Sequence, residues 1–276
     1  MSSDNFCNDL NECADDVIQT NSGFYAEILD EEVTFSSLNV SSTPVMHDVL
    51  STDIDNESLT CKDEEYDTFH LLRQYKSANA KCLIVSYLNI NGILNKFSEM
   101  SVVMNDELVD IMAIAETKLD ETVRDNIIHV KNYKMYRCDG SRVAHGLMVY
   151  IRSDITHCRR YDLDSNGELE SQYIVIEVWL KKQRWFFVAV YKPPPIKNES
   201  FINELSNLSE KMLTESSDIL LLGDMNINML LSNNKLNDFC GIYGFKNMVK
   251  EPTCFKSITN ESLIDVILVS KPQRFN

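Results

Sequence analysis

From Lys81 onward the chain is a succession of short apolar, β-branched runs, each stopped by a polar residue, and few architectures use so many brief strands with so few helices between them. Cys82–Ile90 and Val109–Glu116 read as buried strands, because nearly every position is apolar rather than every second one. Tyr133–Cys138, Gly146–Arg152, Gln172–Leu180 and Arg184–Tyr191 read as further strands, the last two joined through Lys181-Lys182-Gln183 as a hairpin. Asp218–Gly223, Lys246–Val249 and Ser262–Ser270 complete the set. Helical patterning covers Ile93–Asn105, Ser200–Ser216 and Asn234–Tyr243. Hairpins mixed with helical crossovers predict an α/β (α+β) domain over residues 81–276, with two mixed sheets covered by helices.

Residues 1–80 differ in texture. They hold 17 of the 42 acidic residues against 3 of the 26 basic ones, so most of the net charge of −16 belongs to this segment. Polar residues with scattered apolar ones, sustaining neither period 2 nor period 3.6, predict an acidic, mostly disordered tail. A short helix is expected at Asp67–Ala78. With the acidity concentrated there, the near-neutral remainder is not barred from a polyanionic partner.

No apolar run approaches the roughly 18 residues of a membrane helix, and the N-terminus has neither the positive start nor the apolar stretch of a secretory signal. An intracellular protein, in nucleus or cytoplasm, with no membrane partner is expected. The eight cysteines form no Cys-x-x-Cys pair and have no histidine at ligand spacing, which predicts reduced thiols that bind no metal.

The residues that stop the strands are of one chemical kind. Asn89, Glu116, Tyr191, Asp224 and Asn226 follow or end apolar runs, and Asp265 lies within the last. Polar residues at strand ends often do no more than begin turns. Hard divalent cations, however, take carboxylate and amide oxygens, and phosphate-ester hydrolysis uses such a cation to neutralise charge on the phosphoryl oxygens.

Five motifs carry a family resemblance: Tyr87-Leu-Asn-Ile-Asn-Gly92, Ala115-Glu-Thr-Lys-Leu119, Val190-Tyr-Lys-Pro-Pro194, Leu222-Gly-Asp-Met-Asn226 and Ser262-Leu-Ile-Asp-Val266. In order and spacing they resemble the endonuclease domain of non-LTR retrotransposons, in the endonuclease/exonuclease/phosphatase superfamily. The resemblance implies a four-layer α/β/β/α sandwich, Mg2+ (with Mn2+ as a substitute) as the only cofactor, and DNA as the partner. It implies that Glu116 and Asn89 hold the metal, that Asp224 orients or deprotonates the attacking water, and that Asn226 and Tyr191 contact the phosphate. Asp265 matches an aspartate that orients a histidine. That histidine stands in a Ser-Asp-His segment without a counterpart here: the sequence ends at Asn276, and no histidine follows His157. The resemblance therefore implies a domain lacking its last strand, with weak or no activity and an exposed sheet edge near Val266–Ser270. The alternative is a non-catalytic relic that binds nucleic acid or protein. His145 and His157 read as loop residues, and the lone glycine of Ala144-His-Gly-Leu147 leaves backbone approach to a ligand open to question.

Overall fold

The computed structural model describes residues 22–28, 33–39, 69–164, 171–180, 183–216, 218–257 and 260–274. Two six-stranded mixed sheets lie face to face. The first contains β1 (Ser22–Ile28), β2 (Val33–Asn39), β3 (Leu83–Asn89), β4 (Ile111–Ala115), β5 (Tyr133–Cys138) and β6 (Leu147–Arg152), in the order β2-β1-β3-β4-β6-β5. Helix α1 (His70–Ala78) leads into β3, and α2 (Phe97–Asn105) makes the crossover that allows β3 and β4 to run parallel. The second sheet contains β7 (His157–Arg159), β8 (Gln172–Leu180), β9 (Gln183–Tyr191) and β10 (Ile219–Asp224), with α3 (Asn198–Glu215) between the last two. After α4 (Lys235–Tyr243) come β11 (Lys246–Asn247), a separate pair β12 (Cys254–Ser257) and β13 (Asn260–Ser262), and β14 (Asp265–Val269), giving the order β11-β14-β10-β9-β8-β7.

Alternation along the strands builds the layers. Val85 and Tyr87, Ile111 and Ala113, and Leu147 and Val149 share one core with Ile174, Ala189, Leu222 and Ile267 of the second sheet. Their neighbours Ile84, Met112, Ile114, Met148 and Tyr150 form a second core with Leu72 of α1 and Met100, Val103 and Met104 of α2. Both faces of the central strands are thus covered, which is why these runs are apolar throughout. Each buried Val, Leu, Ile or Met side chain among them contributes about 1.5–3 kcal/mol by leaving water.

The base of the first sheet carries a buried charge. Asp110, fully enclosed, accepts the Ile84 amide at 2.6 Å, pairs with Lys76 of α1 at 2.7 Å, and pairs through its other oxygen with Arg152 at the end of β6. One carboxylate thereby ties a helix and three strands together.

Several expectations require correction. Within the segment read as disordered, β1 and β2 form an antiparallel pair that adds to β3, from Phe24↔Tyr87 to Ile28↔Leu83. The rest of that reading lies outside the described residues, apart from α1, which falls inside the helix expected at Asp67–Ala78. Helix α2 starts at Phe97 rather than Ile93, because Asn91 and Gly92 adopt positive φ and the Gly92 and Ile93 amides bond across to the Glu116 and Thr117 carbonyls. The run Ser262–Ser270 divides at Leu263 and Ile264, whose amides bond to the side chains of Asn228 and Thr253 instead of a strand. Finally, β14 is not a bare edge: β11 pairs with its far end, and the Met248 amide and the Asn247 side chain both bond to Ile267.

Candidate active site

Strand register assembles the site. Gln172 lies opposite Tyr191, Tyr191 beside Asp224, and Asp224 opposite Asp265, so four polar side chains form one row across the second sheet on the face toward the first. On the facing sheet Asn89 is level with Ala115, directly before Glu116. Asn89 joins the two halves: its amide nitrogen donates to Glu116 Oε1 at 3.0 Å and to Asp224 Oδ2 at 3.2 Å, while its oxygen accepts the Asn91 amide. Asn226 donates its backbone N–H to Asp224 Oδ1 at 2.8 Å and its side-chain amide to the Lys192 carbonyl at 2.9 Å. Burial, then the Glu116 and Asp224 carboxylates, raise the Tyr191 phenol above its ordinary range.

Unusual backbone conformations gather here. Asn91, Glu116, Lys118, His145 and Asn226 are non-glycine residues at φ between 46° and 66°. Such conformations cost energy and concentrate where neighbouring structure over-determines them. Glycine is needed at two points: a Cβ on Gly223 would meet the Val190 carbonyl oxygen at 1.8 Å, and one on Gly146 would meet Thr117 Oγ1 at 2.2 Å. The single glycine of Ala144–Leu147 thus stands against the Thr117 side chain.

Three carboxylates share this end of the sandwich, and among the described residues none of them is in an ion pair. Burial, then Asp265 and Glu116, hold the Asp224 carboxyl well above the usual carboxylate range. Burial likewise raises Asp265, opposed by hydrogen bonds from the Thr253 hydroxyl and from Tyr87. The Tyr87 contact falls short of good hydrogen-bond geometry, and Asp265 Oδ1 keeps no well-formed partner. Lys192 is buried beside the row; desolvation lowers its ammonium and Asp224 opposes that shift.

This donor set suits a hard cation: clustered carboxylate oxygens without a counter-charge, an amide beside them, and an orphaned buried carboxylate oxygen. Among the described residues no three carboxylate, imidazole or thiolate groups enclose an ion unaided, so water or phosphate oxygens would complete the shell. Two further cations border the site. Lys118 donates to Asn91 Oδ1, and Lys96 donates to the Ile90 carbonyl at 2.7 Å.

The residues singled out from sequence, Asn89, Glu116, Tyr191, Asp224, Asn226 and Asp265, meet at one end of the sandwich. Asp265 faces Tyr87, Thr253 and Asp224 rather than a histidine. Sequence reasoning missed Gln172 and His145. Gln172 accepts the Gly146 amide at 3.0 Å and donates to the Cys138 and Asp139 carbonyls, fastening a loop of the first sheet from the second. Its signal was the pairing with Tyr191 across the 172–191 hairpin. His145 lies beside Tyr191, with ring centroids 5.9 Å apart. His157, by contrast, bonds to the Ile155 carbonyl and packs on Tyr136.

Two facing mixed sheets, with an acid and amide cluster at one end, define an α/β sandwich. Residues 86–274 match the Endonuclease/Exonuclease/phosphatase family, and the chain belongs to it. Among solved structures, it is similar to the endonuclease domain of TRAS1, a telomere-specific non-LTR retrotransposon, at 15% identity and TM-score 0.52, covering 68% of this chain and 84% of that one. It is also similar to the AP endonuclease LMAP from Leishmania major at 12% identity and TM-score 0.51, covering 68% and 78%. No curated protein matches. The shared fold is the four-layer sandwich expected from sequence.

Proposed function

We propose that the protein is a Mg2+-dependent phosphodiester hydrolase that cleaves DNA, of the kind carried by non-LTR retrotransposons. The observation that carries this reading is the convergence of the Tyr191–Asp224–Asp265 row with Asn89 and Glu116. Glu116, Asn89 and Asp265 would hold the cation, and Mn2+ would substitute for Mg2+. When bound, the cation offsets charge on the phosphoryl oxygens.

The chain's own residues do the rest. Asp224, fixed by bonds from Asn89 and the Asn226 amide, orients the attacking water and takes its proton. Tyr191 and Asn226 hold phosphate oxygens in line with that water. Lys96 and Lys118 supply positive charge for the neighbouring backbone phosphates. The alternative, a non-catalytic module that binds nucleic acid or protein, draws its support from Asp265 facing Tyr87, Thr253 and Asp224 rather than a histidine.

The test is nicking of supercoiled plasmid with Mg2+ or Mn2+ by the chain and by Asp224→Ala. Nicking that needs the metal and disappears in the variant is the expected result. Cleavage no greater than that of Asp224→Ala, with retained DNA binding, would favour the binding module. In either case the protein is expected inside the cell.

A further inference from the structure

A phosphodiester leaves as an alkoxide unless a proton reaches the departing oxygen, and the site described above contains no obvious donor. Asp224 is assigned to the water. Tyr191 is assigned to a phosphate oxygen. The ammonium groups of Lys96 and Lys118 are each engaged by an oxygen of the β3–α2 segment, and that of Lys192 is buried beside Asp224, the group assigned to the water.

His145 is the remaining protic group against Tyr191. Its imidazole is half-buried, and Nδ1 is sealed from solvent with no hydrogen-bond partner. A buried nitrogen left unpaired costs free energy, as do the unpaired Thr117 and Ser171 hydroxyls nearby. The loop around it is fixed on several sides. The His145 carbonyl accepts the Lys118 amide at 2.9 Å, the Gly146 carbonyl accepts the Thr117 amide at 3.2 Å, and Gln172 accepts the Gly146 amide. His145 itself sits at φ 66°, a conformation more often taken by asparagine or glycine. The backbone is thus held in a costly geometry that delivers an imidazole to Tyr191 while leaving the ring uncommitted. Because Nδ1 has no partner among the described residues, turning about the broad χ2 torsion breaks no bond there.

From the rigid loop, the unpaired imidazole and its contact with Tyr191, we propose that His145 is the general acid of this site, donating a proton to the leaving oxygen. The inference rests on the hydrolase reading given above. In the step, the water oxygen bonds to phosphorus as its proton passes to Asp224. The bond from phosphorus to the leaving oxygen breaks, and that oxygen takes the imidazolium proton. Neutral His145 is reprotonated from solvent, and Asp224 returns its proton to solvent, so the net reaction consumes one water.

The experiment compares wild type and His145→Asn, which accepts the positive φ, on two duplexes with the metal present: one with an ordinary scissile phosphate, one with bridging sulfur as the leaving atom. A thiolate leaves without a proton. His145→Asn is expected to lose about 10²–10⁴-fold on the oxygen substrate and to stay near wild type on the sulfur substrate, with an unchanged circular dichroism spectrum. Equal activity of the two proteins on oxygen, or an equal loss on both substrates, would overturn the assignment while leaving the hydrolase standing. Wild type silent on both substrates would overturn the hydrolase reading and the assignment with it.

Discussion

At one end of β4 the carboxylate of Asp110 is enclosed by Lys76, Arg152 and the Ile84 amide; at the other, Glu116, Asp224 and Asp265 converge with no ion pair among the described residues. Both ends bury negative charge, which is costly in a low-dielectric interior unless it is compensated. The Asp110 end is compensated within the fold, so it fastens α1, β3, β4 and β6 and needs nothing else. The opposite end is held together by amides, chiefly Asn89 and the Asn226 backbone, and leaves its net charge for something from outside. A buried carboxylate is therefore informative about function only once its counter-charge has been sought.

The largest effect is expected where compensation is complete. Asp110→Ala leaves two cations and the Ile84 amide without their acceptor and should cost about 3–5 kcal/mol in urea unfolding, with specific activity per folded molecule retained. Asp224→Asn tests the other end with the opposite pattern. Plasmid nicking should fall by about 10²–10⁴-fold, while the unfolding midpoint stays level or rises because one of three like charges is gone. If both variants lost stability equally, the contrast between the two ends would fail.

Divalent metal sharpens it further. Mg2+ or Mn2+ at 100 times its dissociation constant should stabilise the chain by about 2.7 kcal/mol, seen as a rise in thermal midpoint that EDTA reverses. Glu116→Gln should abolish that rise, and Asp110→Ala should keep it.

The smallest effect is that of pH without metal. Asp224 and Asp265 have folded values raised above those of the unfolded chain, so the folded state binds more protons. Their contribution is present at low pH and is lost as pH rises toward and through their raised values. Thermal midpoints of metal-free protein should therefore decline as pH climbs from about 4, the unfolded value, toward about 7, where folded Asp265 titrates. Asp265→Asn should flatten the slope, and a midpoint that instead increased with pH would contradict the raised carboxyls.

Much of this was legible in the sequence, for physical reasons that can be stated by residue. Central strands such as Ile111–Ala115 and Ile219–Asp224 are covered on both faces and so read as unbroken apolar runs. The site residues sit where those runs stop, and their motifs place them in order. What stayed hidden depends on contacts distant in sequence. β1 and β2 carry mixed polar sequences, and β1 is placed by its pairing with β3. β7, reading His-Cys-Arg, is three residues placed by β8. His145 follows a run of polar and small residues, and only the fold brings its ring to Tyr191, 46 positions later. Asp110 sits between Val109 and Ile111 in an apolar run, and its partners Lys76 and Arg152 lie 34 and 42 positions away.

The division of the site between the two sheets makes the chain a molecule in two incomplete instalments. Asn89, Glu116 and His145 all precede the end of β6, whereas Gln172, Tyr191, Asp224, Asn226 and Asp265 all follow β7. Neither stretch contains a working set, and Asn89 and Gln172 are the fasteners that bring the sets into register. Catalysis would thus report on the closure of the sandwich itself: two separately expressed pieces cut between β6 and β7 would each be inert, and cleavage would return only with correct mating of their inner faces.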